Sequence, residues 1–277
     1  MKELNKIFAV LALVLCSAAC GQRRSENVVR SFPNMQIPAI VTSQAEWLAV
    51  HFWDGFLADT AGKGYRSDSL HMLGVTKAEF EQEFSNFVYI CENLGNRADA
   101  FEAVRAYARR LAAVPGAMKV AELYLYDPNS PMRDEDLWGE MVAVSNPSDP
   151  LVAQCRLNPV GSRATDFVYY DEDGRTRSLY GVQGADFIIV LFGNIECHAC
   201  KDIKAAFESD GLLQELLESG EVVLVNIPVD DDLSDWEDIY HIRAIPSTYL
   251  LDGNQTVLMK DCPTDKLLNA LHNVYGR

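Results

Sequence analysis

Basic residues are scarce in this chain. Its 277 residues carry 24 Lys and Arg against 40 Asp and Glu, a formal net charge of −16. That balance excludes an electrostatic grip on nucleic acid, which needs clustered positive charge. A spanning segment is missing too: the apolar run Ile7 to Leu15 falls well short of the roughly 20 residues that cross a bilayer. There is no internal repeat and no low-complexity stretch. The two spaced cysteine pairs common in closed zinc sites are absent, and His51 and His71 stand alone. No metal and no cofactor is expected. Apolar residues are plentiful, at 48% of the chain, enough for cores in two domains of ordinary size.

The N-terminus "MKELNKIFAVLALVLCSAAC" runs from Lys2 and Lys6 through an apolar stretch into small residues, the pattern of a secretory signal. Ser17-Ala18-Ala19-Cys20 resembles a bacterial lipobox, with Ser17 standing where Leu is usual. The resemblance implies that residues 1–19 are removed and Cys20 carries the lipid; ordinary cleavage without lipid is the alternative. Residues 20–42 then read as a tether from the membrane surface. Export sets the cysteine arithmetic: Cys91, Cys155, Cys197, Cys200 and Cys262 remain. With an odd number, at least one thiol stays free, exchanges, or is kept reduced in an oxidising compartment.

From 43 to 157 the pattern is all-helical. "SQAEWLAVHFWDGFL" places Trp47, Val50, Phe52, Trp53 and Phe56 on one broad stripe, predicting a helix from Ser43. Thr76 and Glu79 form a capping box for a helix with Phe80, Phe84 and Phe87 inward. Phe101, Val104 and Ala108 repeat the scheme, and further helices are predicted over 118–126, 135–144 and from Asp149-Pro150. "LYDPNSPMRDEDLW" reads as a fixed loop, and no chemical constellation stands out in this half.

At 158 the character changes. "ATDFVYYDEDGRTRSLYGV" reads as a hairpin turning at Asp173-Gly174, "ADFIIVLFGN" as a strand buried on both faces. Helices, a second buried strand, a short acidic helix over 233–240, "IPSTYLLD", "TVLMK" and a closing helix follow, giving an α/β domain over 158–277. The Asp230-Asp231-Asp232 run reads as a solvated helix cap.

"GNIECHACKDI" carries the chemistry. Cys197 at a helix amino end, where the dipole and free N–H groups favour a thiolate, is the attacking thiol, and Cys200, one turn deeper, resolves the mixed disulfide. Glu196 raises the Cys197 pKa and His198, if protonated, lowers it. Downstream, Ile245-Pro246 enters a strand, a place for a cis bond.

These residues resemble a known family. The segment from about Val160 to Arg277 resembles the thioredoxin fold, and the hairpin before it resembles that of TlpA/ResA-like thiol-disulfide oxidoreductases. The resemblance implies that Pro246 is cis and faces Cys197 and Cys200, with Ile245 beside them. Glu196 replaces the usual Trp, and Leu191 replaces the buried Asp, leaving the proton relay to Glu196 or water. Cys262 stands where thioredoxins usually have Gly and is expected to reach Cys197. The whole chain is similar to lipoproteins of Gram-negative gut bacteria that place a helical domain of unknown function before such a module.

The expected activity is exchange of disulfides with protein thiols, reducing or shuffling rather than oxidising, since Ile245 resembles the reductants and the cysteine count is odd. Expected partners are protein thiol or disulfide clients, a membrane or periplasmic electron donor, and the membrane itself through Cys20. The expected place is the outer membrane, facing the periplasm. Two other readings stay open: a metal site using Cys197, His198, Cys200 and Cys262, and a non-catalytic lipoprotein binding module whose dithiol is structural or vestigial.

Overall fold

In a computed structural model of the chain the described residues are 27–39, 41, 43–58, 60, 63–171, 173–194, 196–229 and 239–276. The expected signal, Cys20, the Asp230-Asp231-Asp232 run and nearly all of the acidic helix lie outside them. The chain forms two compact units. One holds the described residues up to Gln36 together with Phe52–Glu83; the other holds Ile37–His51 and Phe84–Arg277. The expected junction at 158 falls inside the second.

The first unit is built on aromatic rings. Phe32 stacks on Phe56 at 5.5 Å and meets Trp53 edge-on, while Phe80 packs 5.0 Å from Trp53. The single helix expected from Ser43 is therefore two: α1, Gln44–His51, ends before Phe52 and Trp53, and α2, Asp54–Leu57, carries Phe56 into the ring cluster. A short hairpin, β1 (His71–Met72) and β2 (Val75–Thr76), turns through Leu73 and Gly74, both at positive φ. A Cβ on Gly74 would lie 2.8 Å from the Val28 carbonyl, so glycine is required there. At the start of α3, Lys77–Glu92, half of the capping box forms. Thr76 Oγ1 accepts the Glu79 N–H, but the Glu79 carboxylate takes the Phe32 N–H at 2.7 Å instead of reaching back.

In the second unit the helices α4 (Arg97–Leu111), α5 (Ala117–Leu125), α6 (Glu135–Ser145) and α7 (Pro150–Cys155) follow the expected order. Asn96, Asp134 and Asp149 cap α4, α6 and α7 through their side chains, each satisfying an N–H that the helix itself leaves unpaired. Val104 and Ala108 are buried with Tyr107 and Leu111. Phe101 departs from expectation: it is half-exposed and lies beneath the guanidinium groups of Arg97 and Arg105.

The sheet follows. The hairpin β3 (Val168–Tyr170) and β4 (Thr176–Ser178) precedes β5 (Phe187–Gly193), α8 (His198–Ser209), α9 (Gly211–Ser219), β6 (Val222–Pro228), β7 (Ser247–Asp252), β8 (Val257–Met259) and α10 (Thr264–Tyr275). The order is β6-β5-β7-β8, with β5 parallel to β6 and antiparallel to β7. Alternation along β5 feeds two cores. Ile188, Val190 and Phe192 join Tyr240 and Tyr249 on one face; Ile189 and Leu191 join Phe207, Leu213 and Leu267 on the other. A strand buried on both faces must be apolar throughout, as "FIIVLF" is.

Candidate active site

The dithiol sits where β5 hands over to α8. Gly193 ends the strand, and a Cβ on it would meet Cys200 Sγ at 3.1 Å, so glycine leaves the thiol its seat. Cys197 is the N-cap of α8, its Sγ accepting the Cys200 N–H at 3.3 Å. Cys197 is half-buried and Cys200 is 2% exposed; both are free thiols.

A hydrogen bond from the Cys200 thiol, outweighing the opposing effect of burial and helped by the N–H groups of Cys200 and Ala199, holds Cys197 below the ordinary thiol range. Burial, then donation to Cys197, pushes Cys200 up. One thiol is therefore partly accessible and the more easily ionised, the other buried and the harder to ionise, the division of labour that exchange needs. The Ile245–Pro246 bond is cis, and Cys197 Sγ lies 3.9 Å from the Ile245 carbonyl oxygen.

The flanking residues stand differently from expectation. Glu196 is exposed, its N–H donating to Asn194 Oδ1 at 2.9 Å. His198 is exposed and pairs with Asp202, one turn along α8, at 3.1 Å. The charge that bears most on Cys197 is Asp202, which raises its pKa. That residue escaped the sequence reading, although the four-residue spacing from His198 on a helix could have found it.

Leu191 is fully buried in the same core as Cys262. Cys262 donates to the Thr248 carbonyl at 3.5 Å, burial pushes it up to about 12, and its core cluster contains neither Cys197 nor Cys200. Cys91 and Cys155 are likewise buried and pushed up to about 12. Among the described residues no group of three or more His, Cys, Asp or Glu could hold a metal ion.

A second set of residues escaped the sequence reading. Lys260, just past β8, is buried and its Nζ lies 2.5 Å from Glu135 and 3.3 Å from Asp136, at the start of α6. It also donates to the carbonyls of Cys155 and Leu157. Arg243, two residues before Ile245, pairs with Glu135 at 3.0 Å and Asp261 at 2.6 Å. Burial pushes the Glu135 carboxyl up to about 7 against the pull of Lys260 and Arg243. In "RDED" Asp134 caps α6, Glu135 and Asp136 form its first turn as the expected start at 135 requires, and Arg133 lies just before it. The signal in sequence was a lone Arg and a lone Lys flanking buried strands, which burial forbids without partners.

Strand, dithiol, helix and cis-proline on a mixed four-stranded sheet define a thioredoxin-like fold. The chain belongs to the DUF5106 family, a domain of unknown function, whose match covers residues 16–158. Over 89% of its length it is similar to a thioredoxin-like protein from Bacteroides caccae, 99% of which is covered, at 25% identity and a TM-score of 0.67. It is also similar to the C-terminal domain of an uncharacterized protein from Bacteroides fragilis, at 26% identity and TM-score 0.38 over 41% of this chain and 97% of that one. The thioredoxin domain of a thiol-disulfide oxidoreductase from Bacteroides vulgatus aligns at 21% identity and TM-score 0.29, covering 42% of this chain and 96% of that one. No curated protein matches the chain.

Proposed function

We propose that the protein is an exported thiol-disulfide oxidoreductase that exchanges disulfides with protein thiols through Cys197 and Cys200. The observation that carries this reading is the asymmetry within one helical turn: Cys197 accessible and lowered, Cys200 buried and raised, with the carbonyl of Ile245 beside the attacking sulfur. Cys197 attacks a client disulfide, its thiolate sulfur bonding one client sulfur while the other leaves as a thiol. Cys200 then displaces the client, closing the Cys197–Cys200 disulfide, and an electron donor reduces that disulfide to complete the cycle.

The direction we propose is reduction or shuffling. Strong oxidants hold their attacking thiolate very firmly, which stabilises the reduced form. Here the influences that lower Cys197 are hydrogen bonds, and the largest charge effect, from Asp202, works the other way. The signal pattern ending at Cys20 supports lipid anchoring in the cell envelope, with the fold facing the periplasm.

The test is reduction of insulin at the expense of dithiothreitol. Wild type accelerates it and Cys197→Ala does not; equal inactivity of both across donors ends the enzymatic reading in favour of a non-catalytic module.

A further inference from the structure

Arg243 and Ser247 bracket the cis Ile245–Pro246 bond, and both end on one carboxylate. Arg243 Nη2 donates to Asp261 Oδ2 at 2.6 Å, and Ser247 Oγ donates to Asp261 Oδ1 at 3.0 Å. The next residue, Cys262, donates its N–H to the Thr248 carbonyl at 3.0 Å, so the loop is tied on its strand side as well. Three residues of the helical segment reach the same knot. Arg133 Nε donates to the Asp261 carbonyl at 2.7 Å, Glu135 pairs with Arg243, and Tyr126 offers Arg243 its carbonyl and its ring face, 4.3 Å from the guanidinium carbon.

The knot is buried: side-chain exposure is 8% for Arg243, 2% for Glu135 and 13% for Asp261 and Arg133. Buried ion pairs add little net stability, because desolvation takes back most of the Coulombic gain, and fixing geometry is the best-attested reason to keep them. A planar guanidinium suits that purpose, since its fork addresses two carboxylates and a carbonyl in set directions, as a lysine could not. Two residues beyond this fork comes Ile245, whose carbonyl opens the cis bond to Pro246. Its partner among the described residues is the weakly donating Cys197 thiol, which leaves the oxygen able to accept a peptide N–H.

We propose that Arg243 and Asp261 are positioning residues, through which the segment around Tyr126, Arg133 and Glu135 sets the Ile245 carbonyl over Cys197 for clients that are extended polypeptides. The inference rests on the thiol-exchange reading and adds to it a role for this part of the helical segment. Small disulfides, which bring no backbone to that carbonyl, do not depend on the knot.

Arg243→Lys keeps the charge and loses the fork; Asp261→Asn keeps the shape and loses the charge. Ser247→Ala removes a single hydrogen bond and serves where either of the others fails to fold. Turnover is measured with insulin as the polypeptide disulfide and dithiobis(nitrobenzoate) as the small one, with Tm recorded for each protein. KM for insulin rises about tenfold in Arg243→Lys and Asp261→Asn, and less in Ser247→Ala, consistent with losing one peptide hydrogen bond to the client. The kcat and the small-disulfide rate stay within about twofold of wild type. Variants with a lowered Tm but an unchanged KM for insulin would show a merely structural knot and overturn the inference. A wild type inactive on both disulfides overturns the exchange reading instead, a different result from equal activity of wild type and variants.

Discussion

The backbone N–H of Cys200 donates to Cys197 Sγ at 3.3 Å, so the thiol held in reserve belongs to a residue that also readies the attacker. With Cys197 lowered and Cys200 raised, alkylation should distinguish them. The rate of Cys197 modification by iodoacetamide, followed by peptide mapping, should level off at lower pH than for an unperturbed cysteine. Cys200→Ala removes the thiol donor that lowers Cys197 most and should move the profile to higher pH. An unmoved profile would show that the helix N–H groups suffice.

Asp202 predicts a change of opposite sign. Its charge raises Cys197, so Asp202→Asn should lower the apparent pKa and speed alkylation at neutral pH. The carboxylate is 67% exposed, so solvent and salt screen it and the gain is about twofold to threefold at low ionic strength, shrinking as salt rises. A slower reaction would point to the lost His198 pairing as the dominant effect.

Gly193 makes a steric prediction. In Gly193→Ala the new methyl would lie 3.1 Å from Cys200 Sγ, so the buried thiol must shift by a few tenths of an ångström. Overpacking of this kind costs about 1–3 kcal/mol. Urea unfolding should show that loss together with slower closure of the Cys197–Cys200 disulfide, whereas a neutral result would mean that the turn after β5 is soft.

Lys260 and Glu135 test the buried charges. Lys260→Ala takes the nearer of two cations from each acid, leaving Glu135 to Arg243 and Asp136 to Arg97, a loss of up to about 3–5 kcal/mol measurable by urea unfolding. Glu135 also gives a pH dependence. Its folded pKa of about 7 lies above the ordinary carboxyl value of 4.5, so the native state binds the extra proton between them. Its contribution to stability is fully present below the unfolded pKa and is lost as pH rises through about 7. Glu135→Gln should remove that downward trend, and an unchanged trend would assign it to another group.

Much of the site was legible because local rules governed it. The buried run of β5, the cysteine spacing at a helix start and the proline at a strand entrance each specify their surroundings within a few residues. The charged knot was not legible. Glu135 and Lys260 are 125 residues apart, and only folding shows that two cations just outside the strands answer two acids on α6. Asp202 went unread for a similar reason: adjacency in sequence drew attention to Glu196 and His198 beside Cys197, whereas the helix pairs His198 with Asp202 one turn on. Periodicity likewise ran α1 and α2 together, since the stripe alone does not show that Phe52, Trp53 and Phe56 share the ring cluster of Phe32 and Phe80.

The central claim is that Cys197 and Cys200 form a reversible redox pair, and equilibrium titration against dithiothreitol or glutathione buffers tests it most directly. Trapping the thiols at each potential and mapping them by mass should reveal one two-electron transition confined to this pair. Its midpoint should lie toward the reducing end of the family range, nearer about −270 mV than about −120 mV. A pair that forms no disulfide at any potential, or one that cannot be reduced once formed, would contradict the account.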